Sequence, residues 1–368
     1  MTERRFGVGI VGLQPGRSWA ARAHIPALRA LSRDYEIVGV ANTSRASAEA
    51  AAAACNIPRA FADVSELVAS PAVDIVAVTV KVPHHFEIVK AAVDAGKHVY
   101  CEWPLGNGLA EAQELAGIAR SKGVLGVVGT QARVAPEIAY LRQLIADGFV
   151  GEVLSTTLIA RAGGWGASIP QKKTGAYLLD RANGATMLTI PLGHTLAALR
   201  DVLGDVVALS AILANRRTSA LIVDTGETLP MTAPDQVLVS GVLEGGAPIS
   251  IHYRGGAARG PGLLWEINGT EGDIQVTGAS GHAQMVRLAI KGGRGAEQEM
   301  RPVDVPNSFY AGWPDDVVHR NVACTYARMA ADLRDGTRTA PSFDDAVALH
   351  RLIAAVEAAA ETGSSVTP

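Results

Sequence analysis

Short, uninterrupted apolar runs recur at regular intervals over the first third of the chain. They are rich in valine, isoleucine and alanine, and they predict buried strands. They lie at Phe6–Gly12, Tyr35–Ala41, Asp74–Val80, Lys97–Cys101 and Gly123–Gln131. Amphipathic stretches such as Phe86–Ala95 separate them, and runs that are apolar on both faces are typical of parallel strands covered by helices. The pattern predicts an α/β domain with a doubly wound parallel sheet over residues 1–130.

Beyond residue 130 the pattern changes to alternating apolar and polar positions, which predicts strands with one solvated face. These strands are predicted near Glu152–Ala160, Val206–Leu213, Gln236–Leu243, Pro248–Tyr253, Leu263–Asn268, Asp273–Thr277 and Met285–Ile290, with Gly-rich turns between several of them. Longer periodic stretches predict helices at about Asn183–Leu203 and His319–Asp335, and a closing helix capped in the Ser342 region. We therefore expect residues 131–368 to form a second, α+β domain with a large, mainly antiparallel open sheet. Its closing helix is a candidate to pack back on the first domain.

Composition and charge narrow the class of protein. A chain of 368 residues with 48% hydrophobic and 19% charged residues fits a folded protein of two domains. A formal net charge of −3 gives no electrostatic reason to expect nucleic-acid or membrane binding. We see no apolar leader before Phe6 and no apolar run near the roughly 20 residues that span a bilayer. The three cysteines have no metal-ligand spacing, so we expect reduced thiols in a cytoplasmic protein without a bound metal.

The turn after the first predicted strand is the candidate phosphate-binding loop. Gly7-x-Gly9-x-x-Gly12 has the spacing of a dinucleotide fingerprint, but these glycines lie within the strand instead of after it. In the next segment, close backbone approach and the start of a helix would suit a pyrophosphate. The residues assigned to this loop are Gly12, Leu13, Gln14, Gly16, Ser18 and Trp19. Gln14 stands where the fingerprint has its second glycine.

The end of the second predicted strand bears on which dinucleotide is bound. Asn42, Thr43, Ser44 and Arg45 stand where an NAD-specific enzyme carries an acid for the ribose 2′-hydroxyl. With no carboxylate to repel a 2′-phosphate and with Arg45 to pair with it, we predict NADP in preference to NAD. The alternative is that Asn42, Thr43 and Ser44 only cap the next helix.

One segment carries a resemblance to a known family. Gly96–Leu105 reads Gly-Lys-His-Val-Tyr-Cys-Glu-Trp-Pro-Leu. It resembles the signature Gly-Lys-His-Val-x-Cys-Glu-Lys-Pro-Leu of the glucose–fructose oxidoreductase / inositol dehydrogenase / MocA family of nicotinamide-dependent sugar enzymes. Trp103 stands where that family has its catalytic lysine. The resemblance covers the whole chain and implies a Rossmann-type first domain, a small sugar-like substrate and a homodimer or homotetramer formed through the open sheet.

The resemblance also implies site residues. It assigns Glu102 to the nicotinamide ribose, Gln131 to the nicotinamide amide and the turn with His85 to the adenosine ribose and nicotinamide. The cofactor-binding residues that it implies are Val80, Val82, His85, Glu102, Trp103, Pro104, Gln131 and Arg133. His194 matches the family's acid/base or substrate-orienting histidine, and Tyr177, Asp180 and Lys173 are its candidate partners. Simpler alternatives remain for two of these residues. His85 can cap its helix or lie in solvent, and His194 can be a packed core residue.

Trp103 leaves two interpretations open, because an indole cannot take up the proton that leaves an alcohol together with the hydride. In the first, the protein is an oxidoreductase in which another group, with His194 the leading candidate, moves the proton. In the second, it is a regulatory dinucleotide-binding protein, since the branch of the family with the fungal galactose-gene repressor also has tryptophan there. Further residues resemble that branch: His24, Pro26, Gly163, Gly164, Trp165, Tyr177, Asp180, Asn183, Gly184, Gly193, His194 and Thr195. We favour the enzyme, because a pure scaffold would not need the polar groups of the site. A nucleotide-free structural protein is the third interpretation.

Overall fold

The computed structural model describes residues 4–257 and 259–368, which divide into two compact units. The first unit takes in the described residues up to Gln131 together with Gly312–Ala348. The second takes in Ala132–Ala311 and Leu349–Pro368. The sequence predicts no apolar leader before Phe6, and residues 1–3 of that segment lie outside the described residues.

A five-stranded parallel sheet forms the centre of the first unit. Its strands are β1 (Phe6–Val11), β2 (Tyr35–Ala41), β3 (Ile75–Val78), β4 (His98–Glu102) and β5 (Gly126–Gly129). Their order is β2-β1-β3-β4-β5, and every neighbouring pair is parallel. β3 and β5 are buried at every position, as a parallel sheet covered on both faces requires. All five predicted strands are confirmed.

The helices of the first unit follow the strands in the expected alternation. They are α1 (Ile25–Ala30), α2 (Arg45–Ala54), α3 (Val64–Ala69), α4 (His85–Asp94), α5 (Leu109–Lys122) and, much later in the chain, α9 (Val317–Asp335). A π-helical turn, Ala20–His24, leads directly into α1. Side-chain oxygens cap three of these helices: Ser44 accepts from the Ser47 amide, Asp63 from the Glu66 amide, and Asp316 from the amides of residues 318 and 319.

The apolar core of the first unit contains residues from distant parts of the sequence. Val8 and Ile10 of β1 share one buried cluster with Val322, Tyr326 and Met329 of α9. All five are fully buried. The segment after residue 312 is therefore part of this unit's core and not an addition to its surface.

An eight-stranded sheet dominates the second unit. Its strands are β6 (Val153–Ala162), β8 (Val206–Ala214), β11 (Gln236–Leu243), β12 (Pro248–Gly255), β13 (Leu263–Gly269), β14 (Gly272–Gly278), β15 (Leu288–Arg294) and β16 (Arg301–Pro302). The order is β16-β15-β14-β13-β6-β12-β11-β8, and neighbours are antiparallel except for the parallel pair β6 and β12. A smaller sheet joins β7 (Ser168–Ile169), β9 (Ser219–Ile222) and β10 (Thr228–Pro230). The predicted large, mainly antiparallel sheet is confirmed.

One face of the large sheet is buried and the other carries exposed apolar side chains. Trp265 and Ile251 are 1% and 2% exposed on the buried face. Leu238 and Ile212, direct partners across β11 and β8, are 36% and 60% exposed. The alternation of the strands therefore leaves an open face that includes apolar residues.

The remaining helices are α6 (Pro136–Ala146), α7 (Lys172–Gly175), α8 (Gly193–Leu203) and α10 (Phe343–Thr362). At the start of α10 the Ser342 amide donates to Asp345 (2.8 Å) and the Asp345 amide donates to Ser342 Oγ (3.1 Å), which confirms the predicted cap.

Three predicted start positions are wrong by three residues or more. The strand predicted from Gly123 starts at Gly126, because Gly123 ends α5. The helix expected from Asn183 begins only with a π-helical turn at Leu188–Leu192, which runs into α8. Gly184, with φ of 65°, ends a separate 3₁₀ turn before it, and Pro191 cannot donate an α-helical hydrogen bond. The last predicted strand starts at Leu288, because residues 283–285 form a 3₁₀ turn.

The described residues contain neither a membrane-spanning helix nor a cluster of metal-binding side chains. None of their helices is long and apolar enough to cross a membrane. Their His, Cys, Asp and Glu side chains form no group of three or more that could hold a metal ion.

Candidate functional site

Polar groups hold the loop after β1 in place. Asn42 Oδ1 accepts a hydrogen bond from the Leu13 amide (2.9 Å), and Asn42 Nδ2 donates one to the Leu13 carbonyl (2.9 Å). Ser18 Oγ accepts from the Gln14 amide (2.9 Å), and the Ser18 amide donates to the Gln14 carbonyl (3.0 Å). The loop is therefore preformed. Its amides at positions 13, 14 and 18 already donate hydrogen bonds within the chain. A pyrophosphate bound there would therefore need donors other than these three amides.

The backbone of this loop needs glycine at its first residue. Gly12 has φ of 99°, and a Cβ there would lie 2.6 Å from Val80 Cγ1. Gly16 also has a positive φ, 68°, but a Cβ there would meet open space. Trp19 packs against the core, and its buried Nε1 has no hydrogen-bond partner among the described residues.

The residues that follow β2, at positions 42–45, differ in their contacts. Ser44 caps α2, so the capping alternative is confirmed for this residue. Thr43 is exposed. Arg45 is also exposed, and it lies 3.3 Å from Glu66 and 4.0 Å from Glu49. The predicted cation for a 2′-phosphate is thus flanked by two carboxylates.

His85 links the turns that follow β3 and β4. Its Nδ1 lies 2.7 Å from the Pro104 carbonyl oxygen and its Nε2 lies 3.0 Å from the Val80 carbonyl oxygen. The side chain is 1% exposed, and burial lowers its pKa. The alternative that His85 lies in solvent is wrong. Val82, beside it in a 3₁₀ turn, is also buried.

A carboxylate with two side-chain donors lies at the carboxyl end of β4. Glu102 Oε1 is 2.8 Å from His24 Nε2 and 2.7 Å from Gln131 Nε2, and Oε2 is 3.0 Å from the same Gln131 nitrogen. The Glu102 side chain is 13% exposed. A Cβ on Gly129 would lie 2.7 Å from Gln131 Nε2 and 2.8 Å from Glu102 Oε1, so this glycine leaves room for the pair. Glu102 and Gln131, both predicted site residues, are brought together.

A second layer of aromatic residues lies behind this carboxylate. His24 is fully buried, and its Nδ1 is 2.8 Å from the Tyr326 hydroxyl. The Tyr326 ring stacks on Tyr100 with centroids 4.6 Å apart. Tyr35 donates from its hydroxyl to the Tyr326 carbonyl (2.6 Å). Burial raises the pKa of all three phenols, so they keep their protons at neutral pH.

Trp103 directly follows this carboxylate. It is 4% exposed, and its peptide bond to Pro104 is cis. In the second unit, Arg133 donates from Nε to Asp201 (2.7 Å), so this predicted cofactor residue already has an ion-pair partner.

The second unit has a buried imidazole on α8. His194 is 4% exposed, and burial, followed by the effect of the nearby His282 ring, lowers its pKa from 6.5 to about 3. Burial also lowers the pKa of His282 to about 4, and this ring stacks on Trp165 with centroids 6.1 Å apart. Both rings are neutral at pH 7. Among the described residues, His194 Nδ1, His282 Nδ1 and Trp165 Nε1 have no hydrogen-bond partner.

The three predicted partners of His194 lie in or just after α7. Lys173 is in the helix, and Tyr177 and Asp180 lie on the turns that follow it. Burial raises the pKa of Tyr177, which therefore keeps its proton at neutral pH. Asp180 is exposed and accepts hydrogen bonds from the Ala182 amide (3.0 Å) and from the Thr232 hydroxyl (3.1 Å). Lys173 is exposed. Their role as partners of His194 stays a prediction.

Sequence reasoning did not assign His24, Tyr326 or His282 to a site. His24 was visible only as a residue shared with one branch of the family. His282 follows Gly281 after β14, a weak signal. Tyr326 sits in an ordinary amphipathic helix and gives no signal of its own.

Comparisons with known proteins agree with this architecture. Residues 6–130 match the family model described as oxidoreductase family, NAD-binding Rossmann fold (Gfo/Idh/MocA). Residues 136–278 match the model of the Gal80p C-terminal domain. The chain is 30% identical over 373 residues to dehydrogenase aclE of Aspergillus oryzae, covering 98% of this chain and 97% of that protein. The chain therefore belongs to the Gfo/Idh/MocA family of oxidoreductases.

Two further similarities are to Gal80 proteins. The galactose/lactose metabolism regulatory protein GAL80 of Kluyveromyces lactis is 28% identical over 319 residues, covering 80% of this chain and 70% of that protein. The crystal structure of a super-repressor mutant of Gal80p from Saccharomyces cerevisiae superposes with a TM-score of 0.90 at 24% identity, covering 99% of this chain and 98% of that one. At that identity the structure shows a shared fold only. Relatives with enzymatic and with regulatory names thus match the same chain.

Proposed function

We propose that this protein is an NAD(P)-dependent oxidoreductase that transfers a hydride between nicotinamide and a sugar, polyol or keto-sugar. The observation that carries the proposal is the Glu102 carboxylate at the carboxyl end of β4, the edge where open parallel sheets bind ligands. His24 and Gln131 hold it in one orientation. It is thus ready to accept a hydrogen bond from the nicotinamide ribose without rearrangement. The likeness to a dehydrogenase over nearly the whole chain supports the same function.

The residues around β1 fit a dinucleotide. The loop from Gly12 to Ser18 is fixed before any ligand arrives, and Trp19 Nε1 is a buried donor without a partner among the described residues. Glu102 and Gln131 would hold the nicotinamide ribose, and the loop would hold the phosphates. When bound, the dinucleotide supplies the hydride acceptor or donor.

His194 suits a role as hydrogen-bond acceptor in this proposal. With a pKa of about 3, it is neutral at pH 7, and a full proton on it would cost about 5 kcal/mol in the ligand-free protein. It would orient the substrate hydroxyl and take up its proton only as negative charge develops on that oxygen. Tyr177, which stays protonated, would donate a hydrogen bond beside it. Asp180 and Lys173, which are both exposed, would act at the outer edge of the substrate site.

The choice between NADP and NAD follows from the residues after β2. Asn42 carries no charge that would repel a 2′-phosphate, and Arg45 is the cation for it. Glu66 and Glu49 compete for the same guanidinium. We retain NADP as the proposed cofactor, and the carboxylates imply that NAD binds as well.

A non-catalytic regulator is the second candidate. Trp103 replaces the family's lysine, and His194 with its low pKa is a weak proton acceptor. Both observations favour a protein that binds the dinucleotide as a signal. The likeness to GAL80 supports this candidate.

Fluorescence titration of the purified full chain separates the two candidates. NADPH and NADH are added separately, and a panel of sugars, polyols and keto-sugars follows. Turnover of the bound cofactor by any of these compounds supports the enzyme. Tight binding without turnover supports the regulator, and absence of binding contradicts both.

We also propose that the open face of the large sheet pairs with a second copy of the chain. The apolar partners Leu238 and Ile212 on that face support this. Light scattering on the same preparation should give at least twice the mass of one chain, and the mass of a single chain would contradict it.

A further inference from the structure

The fully buried His24 is the only histidine of the described residues in which one ring nitrogen faces a carboxylate and the other a phenol. Its Nε2 lies 2.8 Å from Glu102 Oε1, and its Nδ1 lies 2.8 Å from the Tyr326 hydroxyl. The three groups come from the π-helical turn before α1, from the end of β4 and from α9. A buried imidazole with partners on both sides can fix the direction of both hydrogen bonds.

The chemistry of the three groups favours one direction. A carboxylate oxygen accepts hydrogen bonds, so His24 Nε2 carries the hydrogen that faces Glu102. The Tyr326 hydroxyl keeps its proton, because burial raises its pKa well above the ordinary value. It can therefore donate to Nδ1. In this arrangement the carboxylate selects the tautomer with the hydrogen on Nε2, and the phenol stabilises the ring by donating to Nδ1.

We propose that His24 is a positioning residue for cofactor binding. Its Nε2–H holds Glu102 Oε1, Gln131 donates to both carboxylate oxygens, and Oε2 has a further lone pair to accept from a ribose hydroxyl. Tyr326 acts one step further back by donating to Nδ1 and holding the His24 ring in place. The inference rests on the proposed function, because it concerns how the same dinucleotide is held.

Two amide substitutions at position 24 separate positioning from packing. Glutamine in His24→Gln reaches the place of Nε2 and keeps a donor for Glu102. Asparagine in His24→Asn ends near the place of Nδ1 and leaves Glu102 without that donor. Losing a hydrogen bond to a charged group should raise the NADH dissociation constant by about tenfold or more in His24→Asn. His24→Gln should stay within about threefold of the unchanged protein.

The readout is the NADH dissociation constant from cofactor fluorescence, measured on full-length variants with matched thermal melting curves. Equal losses in both variants, or unchanged binding in His24→Asn, would overturn the proposal, since a packing role predicts no difference between the amides. Absence of NADH and NADPH binding in the unchanged protein would instead refute the proposed function. The two failures are therefore distinguishable.

A tyrosine pair tests the support of the His24 ring without altering position 24, and it serves if the amide variants do not fold. Tyr326→Phe removes the donor to Nδ1, so the ring is held less firmly against Glu102, and NADH should bind about threefold to tenfold more weakly. Tyr35→Phe is the matched control, because it also removes one buried hydroxyl, which donates to the Tyr326 carbonyl (2.6 Å) and not to His24. Its NADH affinity should be unchanged. Equal NADH affinities in the two phenylalanine variants would contradict the proposal.

Discussion

The two units each contain a buried polar cluster, and the clusters differ in how far the fold completes them. In the first unit, His24, Gln131 and Tyr326 surround Glu102 with hydrogen bonds of 2.7–3.0 Å. In the second, His194 and His282 each have an Nδ1 atom without a hydrogen-bond partner in the described part of the chain. In the first cluster both Glu102 carboxylate oxygens and both His24 ring nitrogens have partners, and Gln131 Oε1 is an atom without one among the described residues. In the second cluster the unpaired atoms belong to the two imidazole rings themselves.

This difference has an energetic side. A buried polar atom without a partner costs about 1–3 kcal/mol, whereas a paired one costs little. A hydroxyl-rich ligand can supply hydrogen-bond donors to the two imidazole nitrogens and an acceptor to Trp165 Nε1. The first cluster therefore holds its carboxylate in one orientation, and under the proposed function the unpaired nitrogens of the second would pair with hydroxyls of the substrate.

The strongest test of the comparison changes one cluster and measures the function assigned to each, turnover for the second and NADH affinity for the first. His194→Ala should lower turnover by about 10²- to 10⁴-fold, the usual contribution of a group that handles a proton, and leave NADH affinity nearly intact. Steady-state kinetics and a fluorescence titration measure the two effects. Unchanged turnover would remove His194 from the mechanism. A large loss of NADH affinity would show that the clusters are not separate in function.

Acid should destabilise the second cluster. The pKa of His194 is about 3 in the folded protein and 6.5 in the reference state, so the unfolded chain binds the additional proton between these values. Stability therefore falls as the pH drops below about 6.5, by about 2 kcal/mol at pH 5 from this ring alone. Partly exposed His282, with a pKa of about 4, should add a smaller loss of the same sign.

Urea unfolding of the full chain at pH 7.5 and pH 5 measures this effect. His194→Gln should lose less stability than the unchanged protein between the two values, because glutamine does not titrate. An identical pH dependence in the variant would show that the ring is not held neutral by its surroundings.

The smallest expected effect is that of replacing the exposed Arg45 of the first unit. Arg45→Ala should weaken NADPH binding by about tenfold and NADH binding much less, since only a 2′-phosphate pairs with the guanidinium. Arg120→Ala, which breaks an exposed ion pair with Asp344 in the same unit, serves as the control for a lost positive charge. Equal losses for both dinucleotides in Arg45→Ala would remove the preference for NADP.

The sequence predicted the two sheets well, because their strands carry clear patterns. β1 to β5 are apolar on both faces, and the strands of the large sheet alternate. The small sheet was missed, since strands as short as Ser168–Ile169 carry no period. The helix before His194 was placed too early, because the composition of residues 183–192 does not reveal a glycine in a left-handed turn or a π-helical segment.

The candidate site was predicted in part, through one short motif. Glu102 and Gln131 were identified by resemblance, and the structure places them in contact. His24 and Tyr326 lie 302 positions apart, and no local pattern links them. The low pKa of His194 also has no sequence signal, because it depends on what buries the ring.

The place of α9 in the first core also constrains how this protein is made. Synthesis proceeds from the N-terminus, and domains usually fold as their residues leave the ribosome. Here Val8 and Ile10 must wait for Val322, Tyr326 and Met329, which are added only after the entire large sheet has been translated. The unit whose strands emerge first is thus completed only after α9 has been made. A fragment ending near residue 130 would keep that apolar surface uncovered, so a single cut there cannot yield an intact first unit.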